Sequence, residues 1–152
     1  MSRLRPENAD QVRDAVAWAA AEEAPLEVVG LGSKRGLGRP FQASHSLDLT
    51  ALAGISLYEP EELVMTAGAG TRLAEVEARL AAQGQGLAFE PATLGPLLGA
   101  PDGAQTVGGV IACNLAGPRR IKVGAARDHF LGVKAVSGRG EAFKSGGRVV
   151  KN

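Results

Sequence analysis

The sequence predicts an α+β protein in two parts, a small α/β half over residues 1–54 and a larger α+β half over residues 55–152. Three observations point to it. An amphipathic helical period near the N-terminus is followed by two short β-rich runs. Beyond residue 54, pairs of strand-like segments separated by polar turns appear beside two helical stretches. The 21 glycines cluster between apolar segments, whereas a flexible linker would spread them among serines.

The elements follow in order. Asn8-Ala9-Asp10-Gln11 is a variant capping box, and Val12, Ala15, Val16, Ala19 and Ala20 recur at helical spacing behind it. Pro25 closes that helix, Leu26 to Val29 reads as a strand running into Gly30, and Ser46 to Leu49 as a second one. Ile55 to Tyr58 and Leu63 to Ala67 form a hairpin around Glu59-Pro60-Glu61-Glu62. Thr71 is placed to cap a helix carrying Leu73, Val76, Leu80 and Ala81, with Gly84 as its stop. Leu87-Ala88-Phe89 reads as a strand, and Thr106 to Leu115 as a short helix opening at a glycine pair. Leu131 to Val136 and Glu141 to Lys144 form a last hairpin around Ser137-Gly138-Arg139-Gly140.

Composition excludes several function classes. A chain of 152 residues with 45% hydrophobic and 22% charged residues can bury its own core. A net charge of +1 gives no drive toward nucleic acid. Cys113 is the single cysteine, so no internal disulfide forms; beside Ala112 it reads as a small buried residue. With only His45 and His129 to add, ligands for a structural zinc site are too few. His45, between two serines and without an acid partner, reads as structural. Met1 to Pro6 lacks the apolar stretch of a signal peptide, and no run approaches transmembrane length. A cytoplasmic protein is expected.

Three segments carry candidate chemistry. Gly30-Leu31-Gly32-Ser33-Lys34-Arg35-Gly36-Leu37-Gly38 directly follows a strand, and successive backbone N–H groups in such a loop can wrap a phosphate while Ser33 and Lys34 add a donor and a charge. Arg35 stands where the third glycine of a dinucleotide fingerprint would be, and no GK[ST] closes a Walker loop. The bland alternative is a glycine-rich surface turn. Thr106-Val107-Gly108-Gly109 opens a helix, where paired glycines would let a bulky anionic ligand approach free N–H groups; tight packing of helix on strand explains the same residues. Gly117-Pro118-Arg119-Arg120, with Gly124 and Asp128, is either a phosphate-neutralising or a solvated basic loop.

The order of motifs is more specific than any one of them. The loop at Gly30, then Ser46-Leu47-Asp48-Leu49-Thr50, Val64 to Gly70, Thr106 to Gly109 and Leu131 to Val136 resembles the FAD-binding domain of the vanillyl-alcohol oxidase and p-cresol methylhydroxylase family. Gly117-Pro118-Arg119-Arg120 and Gly146 to Asn152 are similar to the FAD-binding subunits of bacterial glycolate oxidases within it. The resemblance implies a fold of two α/β subdomains, cut short at its C-terminus and normally followed by a substrate-binding cap domain. It implies FAD held through Gly30, Leu31, Gly32, Ser33, Lys34, Thr106, Val107, Gly108, Gly109, Asn114 and Gly117, with backbone contacts from Val136. Some relatives link the flavin to a histidine in the first glycine loop; that loop has none here, which implies non-covalent binding. Also implied are a 2-hydroxy acid substrate such as glycolate, and a complex with a second flavin subunit and an iron–sulfur subunit. The protein would be cytoplasmic, or peripheral at the inner membrane through those partners. The alternative is a non-catalytic assembly subunit whose sister carries the working flavin. No catalytic base is identified in these residues, and the isolated fragment is expected to be inactive.

Overall fold

The computed structural model of the chain describes residues 2–40 and 42–147; the end of the last quoted motif, 148–152, lies outside that set. In chain order the regular elements are β1 (Ser2–Leu4), α1 (Ala9–Ala21), β2 (Leu26–Val29), β3 (His45–Asp48), β4 (Ile55–Glu59), β5 (Val64–Ala67), α2 (Leu73–Ala81), α3 (Val107–Cys113), α4 (Arg120–Val123), β6 (Gly132–Val136) and β7 (Ala142–Gly146). Short 3-10 turns occupy Leu49–Ala51, Pro96–Leu98 and Ala126–His129.

The described chain forms two compact units. Of the described residues, the first unit takes 2–29, 42–52 and 131–147, and the second 30–40 and 53–130. The units interleave along the chain, whereas the sequence expectation divides it once, at residue 54. Two segments differ from that division: the first glycine loop belongs with the later residues, and the last hairpin with the earlier ones. Sequence order cannot anticipate either, because both depend on which long-range contacts form.

In the first unit β1, β3 and β2 make a parallel sheet in that order, with Leu4 and Val28 both paired to Leu47. β1 has no counterpart in the sequence expectation; three residues give too little period to read. Helix α1 starts where Asn8 accepts a hydrogen bond from the Gln11 amide at 3.0 Å, a cap worth about 1 kcal/mol. The reciprocal bond of a capping box is displaced by one residue, since Gln11 Oε1 accepts from the Glu7 amide. The helix ends before Pro25 because Glu23 turns left-handed (φ 51°) and the Ala24 amide reaches back to the Ala19 carbonyl at 2.8 Å. Val12, Ala15, Val16 and Ala19 lie on the covered face and Ala20 on the exposed one. β6 packs on α1, and the turn of the β6–β7 hairpin comes so near that a Cβ on Gly140 would stand 2.9 Å from that of Ala17.

Asp48 anchors this unit. Its side chain is fully buried, Oδ1 accepts from the Thr50 amide at 2.9 Å, and Oδ2 lies 2.5 Å from Arg3 Nη2. Burial pushes its carboxyl up, but the Thr50 hydrogen bonds and the Arg3 guanidinium outweigh that, and the pKa falls below the usual carboxylate value. His45 is held by a hydrogen bond between its Nδ1 and Ser2 Oγ at 2.5 Å and by edge-on contact with Trp18.

In the second unit β4 and β5 pair antiparallel as expected, but the turn takes in Leu63, expected to open the strand, at φ 56°. Leu73, Val76 and Leu80 form the buried stripe of α2, while Ala81 faces solvent. Leu73, Val110 and Ala126 make the core, with Leu87, Phe89 and Ile111 packed against it. Leu87 and Phe89 are therefore core-facing and Ala88 is exposed, but the three form no strand. Their neighbour Pro91 makes only an isolated bridge to Ala116. Thr71 does not cap α2. It is fully buried, its Oγ1 accepting from the Gly54 amide at 2.9 Å and donating to the Gly54 carbonyl at 3.1 Å, and Arg72 takes the cap position without a side-chain bond. Gly84 stops the helix as expected, with φ 66°. Cys113, expected to be buried, is exposed at the end of α3. Among the described residues, no helix is long and apolar enough to cross a membrane and no cluster of three metal-ligating side chains occurs.

Candidate functional site

β2 delivers the chain into Gly30, and the next residues form the first candidate segment. Gly32 adopts φ 74°, a left-handed conformation that glycine takes without strain. A turn follows, closed by the Arg35 amide on the Gly32 carbonyl at 3.1 Å, and a second by the Leu37 amide on Lys34 at 3.0 Å. Ser33 and Lys34 stand at the corner. Among the described residues no acceptor meets their backbone N–H groups. The loop thus offers donors beside an ammonium group, the combination that holds an anion. Ser33 is buried and Lys34 half-buried.

The loop is seated on the second candidate segment. A Cβ on Gly30 would collide with Thr106 Oγ1 and stand 3.0 Å from its Cγ2, so the bare Cα rests against that side chain. Thr106, 4% exposed, caps α3: its Oγ1 accepts from the Gly109 amide at 3.3 Å. The sequence expectation of free N–H groups at this helix start is corrected here. Val107 donates to the Thr71 carbonyl at 2.9 Å, Gly108 to the Ala69 carbonyl at 2.8 Å, and Gly109 to its own cap. Gly108 is glycine because a Cβ would lie 2.9 Å from both the Cβ and the carbonyl oxygen of Ala69. Gly109 meets only the capping hydroxyl.

The remaining candidates lie farther off. Asn114 ends α3 in a left-handed conformation (φ 46°), and its Oδ1 accepts from the Arg127 amide at 2.9 Å. Gly117 donates to the Glu90 carbonyl at 2.9 Å and has its Cα against the Glu90 carboxylate, where a Cβ would stand 2.7 Å from Oε2. That carboxylate also receives Arg119, through its amide at 3.2 Å and its guanidinium at 3.3 Å. Arg119 is thus neutralised within the protein rather than held ready for phosphate. Asp128 Oδ2 accepts from the Ala125 amide at 2.8 Å. Val136 is the last paired residue of β6 and belongs to the other unit. Ala69, Glu90 and Gln105 shape the site without having been singled out from the sequence. Glu90 and Gln105 act through contacts that no local motif encodes. A groove of about 570 Å³ between β4 and α2, lined by Tyr58, Glu75 and Arg79 among others, contains none of the candidate residues. Its main feature is Arg79 lying over the Tyr58 ring at 5.5 Å.

This geometry can be set beside known proteins. Residues 3–146 match the FAD binding domain family. The chain is 42% identical over 134 residues to the glycolate oxidase subunit GlcE of Escherichia coli K12, covering 88% of this chain and 36% of that protein. It is 28% identical over 152 residues to the D-lactate dehydrogenase of Archaeoglobus fulgidus, covering 98% and 32%. It spans about a third of the length of these relatives. Among solved structures, alkyldihydroxyacetonephosphate synthase superposes with a TM-score of 0.75 at 19% identity, over 99% of this chain and 27% of that one. The fold is that of a p-cresol methylhydroxylase-type FAD-binding domain in mixed helix and strand. With a match running from Arg3 to Gly146, this chain belongs to the FAD binding domain family.

Proposed function

We propose that this chain is part of a subunit that binds FAD without a covalent bond, in an oxidoreductase acting on a 2-hydroxy acid such as glycolate. The observation that carries the proposal is the loop from Gly30 to Lys34, with acceptor-free amides on Ser33 and Lys34, seated on Thr106. The residues fit the group. An anionic pyrophosphate would receive the Ser33 and Lys34 amides and the Lys34 ammonium. Thr106 would fix the height of the loop above α3, and Gly109 would present its bare Cα to the ligand. The role of Gly108 is to let α3 approach Ala69, so its contribution to binding is indirect.

When bound, FAD supplies the electron-pair acceptor that the side chains lack. This chain contributes binding and orientation: a cation and two amides at the anionic end, and a helix start that is already internally satisfied and so does not rearrange when the ligand arrives. The two relatives, a glycolate oxidase subunit and a D-lactate dehydrogenase, are named for 2-hydroxy acids, which supports the substrate class. The GlcE relative is one subunit of an oxidase, which supports a complex; its further members would be a second flavin subunit and an iron–sulfur subunit, in the cytoplasm or at the inner face of the membrane.

The test is flavin occupancy of the complete subunit. Acid precipitation should leave the flavin in the supernatant, and Lys34→Gln should raise the Kd for FAD by about tenfold, the effect of one lost charge-assisted contact, with an unchanged circular dichroism spectrum. Absence of flavin from the subunit within its complex would instead make it an assembly partner, and colour retained in the pellet would mean a covalent link.

A further inference from the structure

Gln105 immediately precedes the helix cap and is 4% exposed. Its carbonyl and its side chain tie separate segments together, and its backbone amide closes a local turn. Its carbonyl oxygen accepts from the Leu73 amide at 3.0 Å, at the first residue of α2. Its backbone amide donates to Gly103 at 2.9 Å. Its side-chain Nε2 donates to the Ala92 carbonyl at 3.2 Å. Ala92 in turn donates to the Leu115 carbonyl at 3.3 Å, Pro91 bridges Ala116, and the Glu90 carbonyl receives Gly117 at 2.9 Å. Residues 90–92 therefore carry Leu115–Gly117, and the side-chain amide of Gln105 ties them to the start of α3.

That amide leaves its other end unsatisfied. Gln105 Oε1 is enclosed and meets no donor among the described residues. Rotating the amide by half a turn would not help, because it would set an oxygen against the Ala92 carbonyl and lose the existing bond. A buried acceptor without a partner lowers stability, and an apolar side chain of the same length would avoid that cost. A residue kept for packing alone would therefore not be glutamine.

We infer that Gln105 is a positioning residue for the flavin, fixing the direction in which Leu115–Gly117 leaves the end of α3 relative to the Thr106–Gly109 helix start. The inference rests on the proposed FAD site. It acts through residues 90–92, and Gln105 itself touches no cofactor.

The test uses the complete flavin-binding subunit, with FAD titrated by fluorescence and the Tm of the flavin-free protein measured in parallel. Gln105→Met keeps the length and volume but removes both polar ends. It should leave the flavin-free Tm unchanged or raised while the Kd for FAD rises about tenfold, the equivalent of one hydrogen bond to ordered backbone. Gln105→Glu, which faces a carboxylate toward the Ala92 carbonyl, should raise the Kd further and shift the visible absorbance bands of the bound flavin. Equal FAD affinity in wild type and Gln105→Met would overturn the inference while leaving the flavin site intact. A variant that loses Tm, or fails to fold, without any change in affinity of its folded fraction would make Gln105 structural and overturn it equally. Failure of the wild type to bind FAD would overturn the site itself, and this inference with it.

Discussion

The two glycine-rich segments of the second unit look alike in sequence and do opposite things. From Gly30 to Lys34 the glycines shape a turn whose corner amides have no acceptor among the described residues; from Thr106 to Gly109 every amide after the cap is already bonded. In the loop, Gly32 is needed for its positive φ. At the helix start, Gly108 is needed for space, since Ala69 occupies the volume a Cβ would take. In the proposed site the first segment is the cradle, and the second is a packing joint on which it rests. Clustered glycines mark where backbone comes close to something, and the partner can be a ligand or the protein's own chain.

The joint should break first. Gly108→Val drives a branched side chain into the Cβ and carbonyl of Ala69 and disturbs the bond from Gly108 to that carbonyl. Overpacking of this kind costs about 1–3 kcal/mol, and the lost bond adds to it. The expected result is a lower Tm and weakened circular dichroism in the flavin-free protein. A variant with wild-type Tm that merely fails to bind FAD would return Gly108 to the cradle.

The contact between the two segments gives a smaller, sharper effect. Gly30→Ala places a methyl against Thr106, and Thr106→Ala removes both the obstacle and the cap. Each single substitution should cost about 1 kcal/mol or somewhat more. The double variant should be less destabilised than their sum by about 0.5–3 kcal/mol, the range for residues in contact. Strict additivity in chemical denaturation would mean that the loop does not rest on the cap.

Local rules made much of this molecule legible. Asn8 announces α1, the spacing of Leu73, Val76 and Leu80 announces α2, and the Gly108–Gly109 pair announces the opening of α3, because such local signals act over four or five residues. What escaped depends on contacts far apart in sequence. β1 is visible only once it pairs with β3, and Thr71 reads as a cap until its hydroxyl is seen bridging the amide and carbonyl of Gly54. Phe89 has strand-like composition, but its ring stacks on His129 at 5.5 Å and the backbone around it stays irregular. The glycine loops were found by composition and order. Which of their amides were free could not be, since the acceptors at Ala69 and Thr71 lie 36 or more residues away.

Hydrogen exchange of the complete flavin-binding subunit, followed by mass spectrometry with and without FAD, separates cradle from joint most directly. Amides of Ser33 and Lys34, unbonded within the protein, should exchange fast in the flavin-free form and become protected when FAD binds. Amides of Val107 and Gly108, bonded to Thr71 and Ala69, should be slow in both forms and change little. Strong protection arising instead at Val107 and Gly108, with Ser33 and Lys34 still exchanging freely in the bound form, would contradict this assignment and place the anion at the helix start.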